Sequence, residues 1–290
     1  MFKLKTFATQ RPLMFSLLAI LLGSLLTEIP IKELLAPYVG VQPAHYLTLI
    51  LEQGLTGGLF FILLARFGWL SLAGFTPPRQ WRALWLGWPL LFFALINIEE
   101  GIVIDTSKSM LITLHLLTAL STGWVEEILF RGVVVTALLK KWGRSRKGIY
   151  LAVLVSGVFF GAIHLVNFIQ GRKPLLNTAT QMVYALFFGV IFAACLLRNR
   201  SIWPVILLHA AVDWTGTLHE VAVGGGLRVT APPMTLNHAL VSILITLPLF
   251  LYGLYILRKV EPASLGGATI PSSVLLPRLT RDHPLDRVAE

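Results

Sequence analysis

Long apolar runs, separated by short polar segments, dominate this sequence of 290 residues. A helix needs roughly 20 residues to cross the hydrocarbon core of a bilayer. Inside that core every backbone N–H and C=O must find a partner within the chain, so such runs become helices. The sequence therefore predicts an all-α, polytopic membrane protein with about eight transmembrane helices. The predicted helices lie near residues 12–27, 45–65, 82–98, 110–139, 148–168, 177–197, 202–219 and 235–257.

The overall composition agrees with this prediction. Hydrophobic residues make up 56% of the chain and charged residues 13%, against roughly 45–50% and 25% in a soluble domain. The single cysteine, Cys195, lies within an apolar run, which excludes an intramolecular disulfide and a cysteine-type zinc site. Any chemistry in this chain must therefore rest on other side chains.

The formal net charge of +10 has a membrane explanation, because the basic residues collect in alternate connecting segments. One set of segments holds Lys3, Lys5, Arg11, Arg66, Arg79, Arg82, Lys140, Lys141, Arg144, Arg146, Lys147, Arg198, Arg200, Arg258, Lys259, Arg278, Arg281 and Arg287. The other set holds Lys32, Lys108, Arg172, Lys173 and Arg228. Since cytoplasmic loops are enriched in Lys and Arg, we predict that both termini are cytoplasmic, and the charge requires no nucleic-acid partner.

Four segments follow from this pattern. We predict N-terminal helices 1–3 in 1–109, a catalytic core of helices 4–7 in 110–220, the last transmembrane helix in 221–259 and a flexible cytoplasmic tail in 260–290. The tail is rich in Pro, Ser and charge and lacks a sustained apolar period. The first apolar run lacks a small-x-small cleavage site, so we interpret it as a retained anchor.

The fourth predicted helix carries ionisable residues where they are costly and usually functional. They occur in the run Trp124-Val-Glu-Glu-Ile-Leu-Phe-Arg131. On an α-helix positions i and i+4 share a face, so Glu127 and Arg131 can pair while Glu126 points elsewhere. A carboxylate without such a partner suits a general base. The alternative is that both glutamates are structural and join helices through hydrogen bonds.

Two later apolar segments each carry a histidine. His164 follows a Gly-x-x-x-Gly pair, Gly157 and Gly161, which lets another helix approach closely. His209 and Asp213 are again i and i+4, so the carboxylate can accept a hydrogen bond from the imidazole and fix its tautomer. A satisfied polar core residue, or a local pair that stabilises a helix, is the alternative in each case.

The depth of these groups in the bilayer can be estimated from helix rise. At 1.5 Å per residue, Glu126 lies ~20 Å along its helix from Lys140, and His209 lies ~10 Å from Arg200. A long fourth helix with a cytoplasmic overhang of ~10 Å would bring the two groups level. This estimate predicts a site that opens toward the cytoplasmic half.

Several protease motifs are absent. His219-Glu220 is followed by Val221-Ala-Val223, so the chain has no His-Glu-x-x-His zinc-protease helix. Ser156-Gly157 follows Leu and Val, and so misses the Gly-x-Ser-Gly motif of rhomboid-type serine proteases. The Gly-x-Gly-Asp motif of intramembrane aspartyl proteases is also missing.

Three motifs in order resemble the type II CAAX prenyl endopeptidase family, also called the CPBP or Abi family. The motifs are Glu126-Glu127-x-x-x-Arg131, Phe160-x-x-x-His164 and His209-x-x-x-Asp213. The resemblance covers roughly residues 110–220. It implies an intramembrane peptidase in which the first glutamate and the second-motif histidine activate water.

The resemblance also implies a role for each motif residue. Glu126 would be the general base, and His164 would help it to position the water. His209 with Asp213 would form the oxyanion side, where donors must point at developing negative charge. The ion pair in the first motif would brace the fold.

Asp213 departs from the branch of the family that acts on prenylated proteins, which typically has Asn at this position. Because an ionised Asp cannot donate a hydrogen bond, three alternatives stay open. Asp213 is protonated, or it orients His209 as the sole donor, or the site binds a metal. We predict that no cofactor is required; the alternative is zinc, with Glu126, His164 and His209 as ligands.

The leading hypothesis is an intramembrane endopeptidase that hydrolyses a peptide bond in a membrane-associated or prenylated peptide or protein. Its other partner is the lipid bilayer, and in a prokaryote that bilayer would be the plasma membrane. A proton-coupled membrane transporter is the alternative, because buried Glu, His and Asp residues also form proton relays. A non-catalytic membrane scaffold is a third hypothesis. The transporter predicts inverted repeats with broken spans in matching positions, and the sequence has no such match.

Overall fold

The computed structural model describes residues 2–76, 83–228 and 230–265, and these residues are largely helical. The predicted flexible tail therefore lies almost entirely outside the described residues. The α-helices are α1 (Phe2–Gln10), α2 (Pro12–Leu26), α3 (Ile31–Val39), α4 (Val41–Phe67), α5 (Ala83–Leu86), α6 (Trp88–Ile96), α7 (Ser109–Glu126), α8 (Val135–Trp142), α9 (Arg146–Ala162), α10 (Leu165–Ile169), α11 (Leu175–Asn199), α12 (Trp203–Gly216) and α13 (Leu236–Leu257). A π-helix joins α7 to α8, and short 3₁₀ turns occupy Thr106–Lys108, Leu218–Val221 and Pro262–Ser264.

The chain is an all-α integral membrane protein, as predicted. In the part that the structure describes, five helical stretches are long and apolar enough to cross a membrane: Pro12–Val39, Val41–Phe67, Arg146–Ile169, Leu175–Asn199 and Leu236–Leu257. The other three predicted windows fall on α5 with α6, on α7 through α8, and on α12, which has only 14 residues. The count of eight spans therefore stays a prediction.

One end of the helix bundle is formed by four connecting regions. They are residues 27–40, 97–108, 163–174 and 217–235. Polar contacts tie them together: Arg172 pairs with Glu28 at 2.9 Å, and the Gln42 side chain donates to the Glu220 carbonyl oxygen at 2.9 Å. We call this end of the bundle the cavity end, because several of its residues line a cavity.

The opposite end of the bundle holds the N-terminal helix α1 and the regions 67–76, 142–146, 199–203 and 257–265. Here the Ile202 amide donates to the Gly74 carbonyl oxygen at 3.1 Å, and Arg146 pairs with Glu261. Most of the described Lys and Arg side chains belong to this end, which we call the basic end.

The segment Glu127–Val134 is a π-helix, whereas the sequence predicted a continuous α-helix. A π-helix pairs i with i+5, which is rare outside functional sites. The amide of Val135 accordingly donates to the Phe130 carbonyl oxygen. That oxygen also accepts from the Ser156 hydroxyl on α9 at 3.3 Å. A partner from a neighbouring helix thus contributes to the stability of the wider turn, and sequence periodicity alone does not reveal it.

Two glycines let helices approach closely beside the site. A Cβ on Gly123 of α7 would lie 2.7 Å from the Ile206 carbonyl oxygen on α12, closer than real Cβ atoms come. A Cβ on Gly161 of α9 would clash with the Met182 carbonyl oxygen on α11. The close approach predicted for the Gly-x-x-x-Gly pair is therefore present. These contacts set α12 against α7 and α11 against α9.

The interior is apolar and centres on two segments. All residues in 127–139 and in 188–197 are buried, and their apolar side chains belong to one hydrophobic cluster that extends from Ala8 to Val260. Large apolar side chains such as Leu55, Leu95 and Leu244 point outward, where lipid would cover them. Burying charged groups in this interior costs free energy unless they are paired, which makes the site described next costly to build.

Candidate active site

Three helical elements converge on a cavity of about 740 Å³. Glu126 ends α7, His164 lies between α9 and α10, and both His209 and Asp213 lie on α12. All four side chains line the cavity. The structure therefore brings the four predicted catalytic residues together, although up to 87 positions separate them in the chain.

The cavity extends to the cavity end of the bundle, where Lys173, Thr217 and Glu220 line it. The depth estimate had predicted an opening toward the opposite end, which holds Lys140 and Arg200. That prediction was wrong because helix rise gives the depth of a group but not the side from which the group is reached.

Glu127 is the centre of a buried polar cluster. Its Oε1 lies 3.0 Å from Arg131 Nη1, so the predicted ion pair is present, and both side chains are 0% exposed. The same oxygen lies 2.7 Å from Nδ1 of His209, on the far side of the α7–α12 contact. Because an ionised carboxylate only accepts, Nδ1 is the donor in this hydrogen bond. Glu127 therefore fixes the orientation and tautomer of His209 as well as pairing with Arg131.

The other ring nitrogen of His209 faces the cavity. Nε2 lies 3.5 Å from Glu126 Oε2 and 3.5 Å from Asp213 Oδ2. These two carboxylates are 28% and 36% exposed, unlike the fully buried Glu127. The sequence had predicted that Asp213 orients the imidazole. Glu127 has that position instead, because one turn of α12 brings Asp213 beside Nε2, whereas Nδ1 points across to the π-helix.

Two phenylalanines form the wall behind the imidazole. The ring of Phe192 stacks on His209 with centroids 4.9 Å apart and an interplanar angle of 20°. The Arg131 guanidinium lies 4.2 Å from the Phe160 ring centroid and 5.0 Å from that of Phe192. Cation–π contacts of this kind are strongest where water is excluded. They favour a charged guanidinium and hold it in place beneath the site.

His164 occupies a separate position at the cavity wall. Its ring meets the edge of Phe160 with centroids 5.7 Å apart, and the side chain is partly buried. Among the described residues its ring nitrogens have no hydrogen-bond partner. A water molecule or substrate can therefore bind to this imidazole directly.

Further polar residues line the cavity that sequence reasoning had not assigned to it. His45 and His115 were not among the predicted site residues. Both line the cavity, and His115 Nε2 lies 2.9 Å from the Thr217 hydroxyl. Lys173 also lines it, in the connection before α11. In the sequence, the one signal for Lys173 is its position between two apolar runs.

Comparison with protein families gives an independent result. Residues 108–215 match the family model described as type II CAAX prenyl endopeptidase Rce1-like. This region of the chain is therefore similar to the Rce1-like family. The predicted family resemblance is thereby confirmed, over nearly the range from which it was drawn. Comparison with curated proteins and with solved structures gave no match.

The matched region includes every residue of the cluster around Glu127 and His209 as well as His164 and Lys173. The match supports a protease of the CAAX type within the membrane, and it gives no support to a transporter. Part of the cavity wall comes from outside this region. His45 on α4 and Glu220 after α12 belong to that part.

The predicted alternative to a metal-free site was a zinc site. Zinc ligands lie about 2.0–2.2 Å from the metal, so their donor atoms must surround one point. Within the described ranges no three His, Cys, Asp or Glu side chains are arranged in this way. In this structure the donor atoms of the alternative ligand set, Glu126, His164 and His209, do not converge on one point.

Proposed function

We propose that this protein is an intramembrane endopeptidase that hydrolyses a peptide bond in a membrane-associated or lipidated substrate. The observation that carries the proposal is the cavity in which Glu126 and Asp213 flank the outward nitrogen of a fixed His209, with His164 on the same cavity wall. A cavity beside an oriented imidazole and a partly exposed carboxylate suits acid–base chemistry on a bound peptide.

In this mechanism Glu126 is the general base. A water molecule held by Glu126 and His164 gives a proton to the Glu126 carboxylate while its oxygen attacks the scissile carbonyl carbon. A new C–O bond forms, and the carbonyl oxygen becomes an oxyanion. When the intermediate collapses, the C–N bond breaks and Glu126 returns the proton to the leaving amine. The site thus ends the cycle in the state in which it began.

His209 stabilises the oxyanion. When the ring is protonated, as an imidazolium beside three carboxylates, Nδ1–H donates to Glu127 and Nε2–H points at the cavity, where it can donate to the developing negative charge. Asp213 lies too far from Nε2 for a short hydrogen bond, and it helps to keep the ring protonated through its charge. Of the three sequence-based alternatives, the geometry supports His209 as the sole donor, with Glu127 as the residue that orients it.

The test is cleavage of a farnesylated CAAX peptide by purified protein in detergent. We expect Glu126→Gln to abolish cleavage while expression and membrane insertion stay normal. Glu52→Gln is the matched control, because Glu52 is also a buried glutamate, 4% exposed, but lies on α4 away from the cavity. Unchanged turnover in Glu126→Gln would refute the mechanism.

A strong zinc chelator, added to the same assay, tests the metal question. We expect cleavage to continue, since the donor atoms do not converge on one point. Cleavage that stops with chelator and returns with zinc would instead make Glu126, His164 and His209 metal ligands.

The distribution of charge supports one orientation in the membrane. Among the described residues, the cavity end holds only five Lys and Arg side chains: Lys32, Lys108, Arg172, Lys173 and Arg228. The basic end carries most of the others, and cytoplasmic loops are enriched in such residues. We therefore propose that both termini are cytoplasmic and that the cavity opens on the opposite face. A substrate would then reach the site from the non-cytoplasmic side.

A further inference from the structure

One cation in the cavity has no function in the mechanism above. Among the described residues that line the cavity, Lys173 is the one Lys or Arg side chain. It lies at the cavity end, in the short connection between α10 and α11. Apolar side chains form much of the surrounding wall, and an ammonium group is costly there without a partner.

Hydrogen bonds hold Lys173 in position. Its backbone amide donates to the Asn167 carbonyl oxygen at 3.1 Å, and its Nζ donates to Gln181 Oε1 at 2.9 Å. The Asn167 side-chain amide donates to the same Gln181 oxygen at 3.0 Å. The ammonium group is therefore prepositioned at the cavity wall.

Lys173 differs from its neighbour in its ionic partners. Arg172 points away from the cavity and pairs with Glu28 at 2.9 Å. Within the described ranges no carboxylate lies within 4.0 Å of Lys173 Nζ, and only one of its three N–H donors is used. The cavity thus contains a fixed cation with free donors, and no described carboxylate is in direct contact with it.

We propose that Lys173 binds the C-terminal carboxylate of the peptide substrate. This inference rests on the proposed function, and it adds that the peptide is cleaved near its C-terminus. Such a peptide brings a carboxylate into a cavity within the membrane, where the charge needs a cationic partner. Glu126, Asp213 and Glu220 repel a carboxylate along the rest of the wall. The protonated His209 is already flanked by Glu126, Glu127 and Asp213, so Lys173 is the cation that remains for the C-terminus.

The experiment compares a farnesylated CAAX peptide as the free acid with the same peptide as a C-terminal amide. For the wild-type protein we expect a KM about 10- to 100-fold lower for the free acid, since hydrogen bonds to charged groups are the stronger ones. Lys173→Gln should raise the KM of the free acid to that of the amide, with little change in kcat. Lys173→Arg should restore the preference in part.

Arg172→Gln is the matched control, because it removes a neighbouring charge that does not line the cavity. It should leave the ratio of the two KM values unchanged. A wild-type protein that treats both peptides alike would overturn the proposal. The same conclusion follows if Lys173→Gln weakens both peptides equally, since a purely structural role would have that effect.

A binding measurement separates this inference from the proposed function. The Glu126→Gln protein should bind the free acid more tightly than the amide, and the added Lys173→Gln change should abolish the difference. If the wild type cleaves neither peptide but this preference is found, the peptidase proposal fails and the carboxylate site stands. If cleavage occurs but the free acid and the amide bind equally, the peptidase proposal stands and the carboxylate site fails.

Discussion

At the scale of single residues, two adjacent glutamates have different environments. Glu127 is 0% exposed and is shared between Arg131 and His209, whereas Glu126 is 28% exposed and faces the cavity. Adjacent positions on a helix point about 100° apart, so one carboxylate can lie within the protein while the next reaches substrate. The separation of roles follows from helix geometry and requires no difference in residue type.

The buried ion pair predicts a large difference between two arginines. We expect Arg131→Met to lower the free energy of unfolding by about 3–5 kcal/mol, because it leaves the buried Glu127 without its counter-charge. Arg146→Met is the control, since Arg146 is 57% exposed and pairs with Glu261 at the surface. It should cost at most about 1 kcal/mol. Chemical or thermal unfolding in detergent measures both, and equal costs would contradict the assignment of Arg131.

The carboxylate site predicts a dependence on pH. Burial lowers the pKa of Lys173 below the usual lysine value, and the nearby charge of Asp213 opposes that shift. The ammonium form exists below this pKa, so the preference for a free-acid peptide should be present at lower pH and disappear as pH rises through it. Lys173→Gln should remove this pH dependence.

The ratio of the KM values for amide and free acid is the quantity to follow. Other ionisable groups that line the cavity are His45, Tyr46, His115, Glu126, His164, Tyr184, His209, Asp213 and Glu220. A group that acts on catalysis changes the cleavage of both peptides, so its titration cancels in the ratio. A ratio that stays constant while Lys173 loses its proton would contradict the assignment.

At the scale of helices, the contact between α7 and α12 determines the site geometry. A Cβ on Gly123 would lie only 2.7 Å from the backbone carbonyl oxygen of Ile206 on α12. Three and four residues later, Glu126 and Glu127 meet His209 across the same contact. The hydrogen bond to Nδ1 therefore depends on a glycine that has no chemical function.

Gly123→Ala should push the two helices apart. We expect it to lower stability by about 1–3 kcal/mol, as overpacking does, and to reduce cleavage by tenfold or more because His209 moves away from Glu127. Gly54→Ala on α4 is the control, since a Cβ there meets nothing within 4 Å. It should be neutral or slightly stabilising, by at most about 1 kcal/mol. Thermal unfolding and the peptide assay test both variants, and equal activity would contradict this role for the contact.

At the scale of the whole molecule, the cavity end and the basic end differ in charge, and this difference predicts the orientation. Cys195 is buried and can be replaced by Ala to give a cysteine-free background. In that background Ser107→Cys lies exposed at the cavity end and Arg144→Cys lies exposed at the basic end. With a membrane-impermeant maleimide on intact cells, we expect only Ser107→Cys to be labelled. Labelling of Arg144→Cys alone would indicate the opposite orientation, in which the cavity opens to the cytoplasm.

The sequence by itself determined the features that depend on local chemistry. Apolar runs of about 20 residues become helices in a membrane because backbone groups there must pair within the segment. The pairing of Glu127 with Arg131 also follows from local spacing, since four positions bring side chains to one face. The three short motifs were enough to indicate the family that the match over 108–215 then confirmed.

Only the tertiary structure decided the contacts between distant segments. The hydrogen bond from His209 to Glu127 joins positions 82 residues apart, and no local period encodes it. The π-helix, the end at which the cavity opens and the presence of Lys173 in its wall likewise depend on how the helices pack. The physical reason is that helix spacing fixes which side chains share a face, whereas close packing between helices fixes which faces meet.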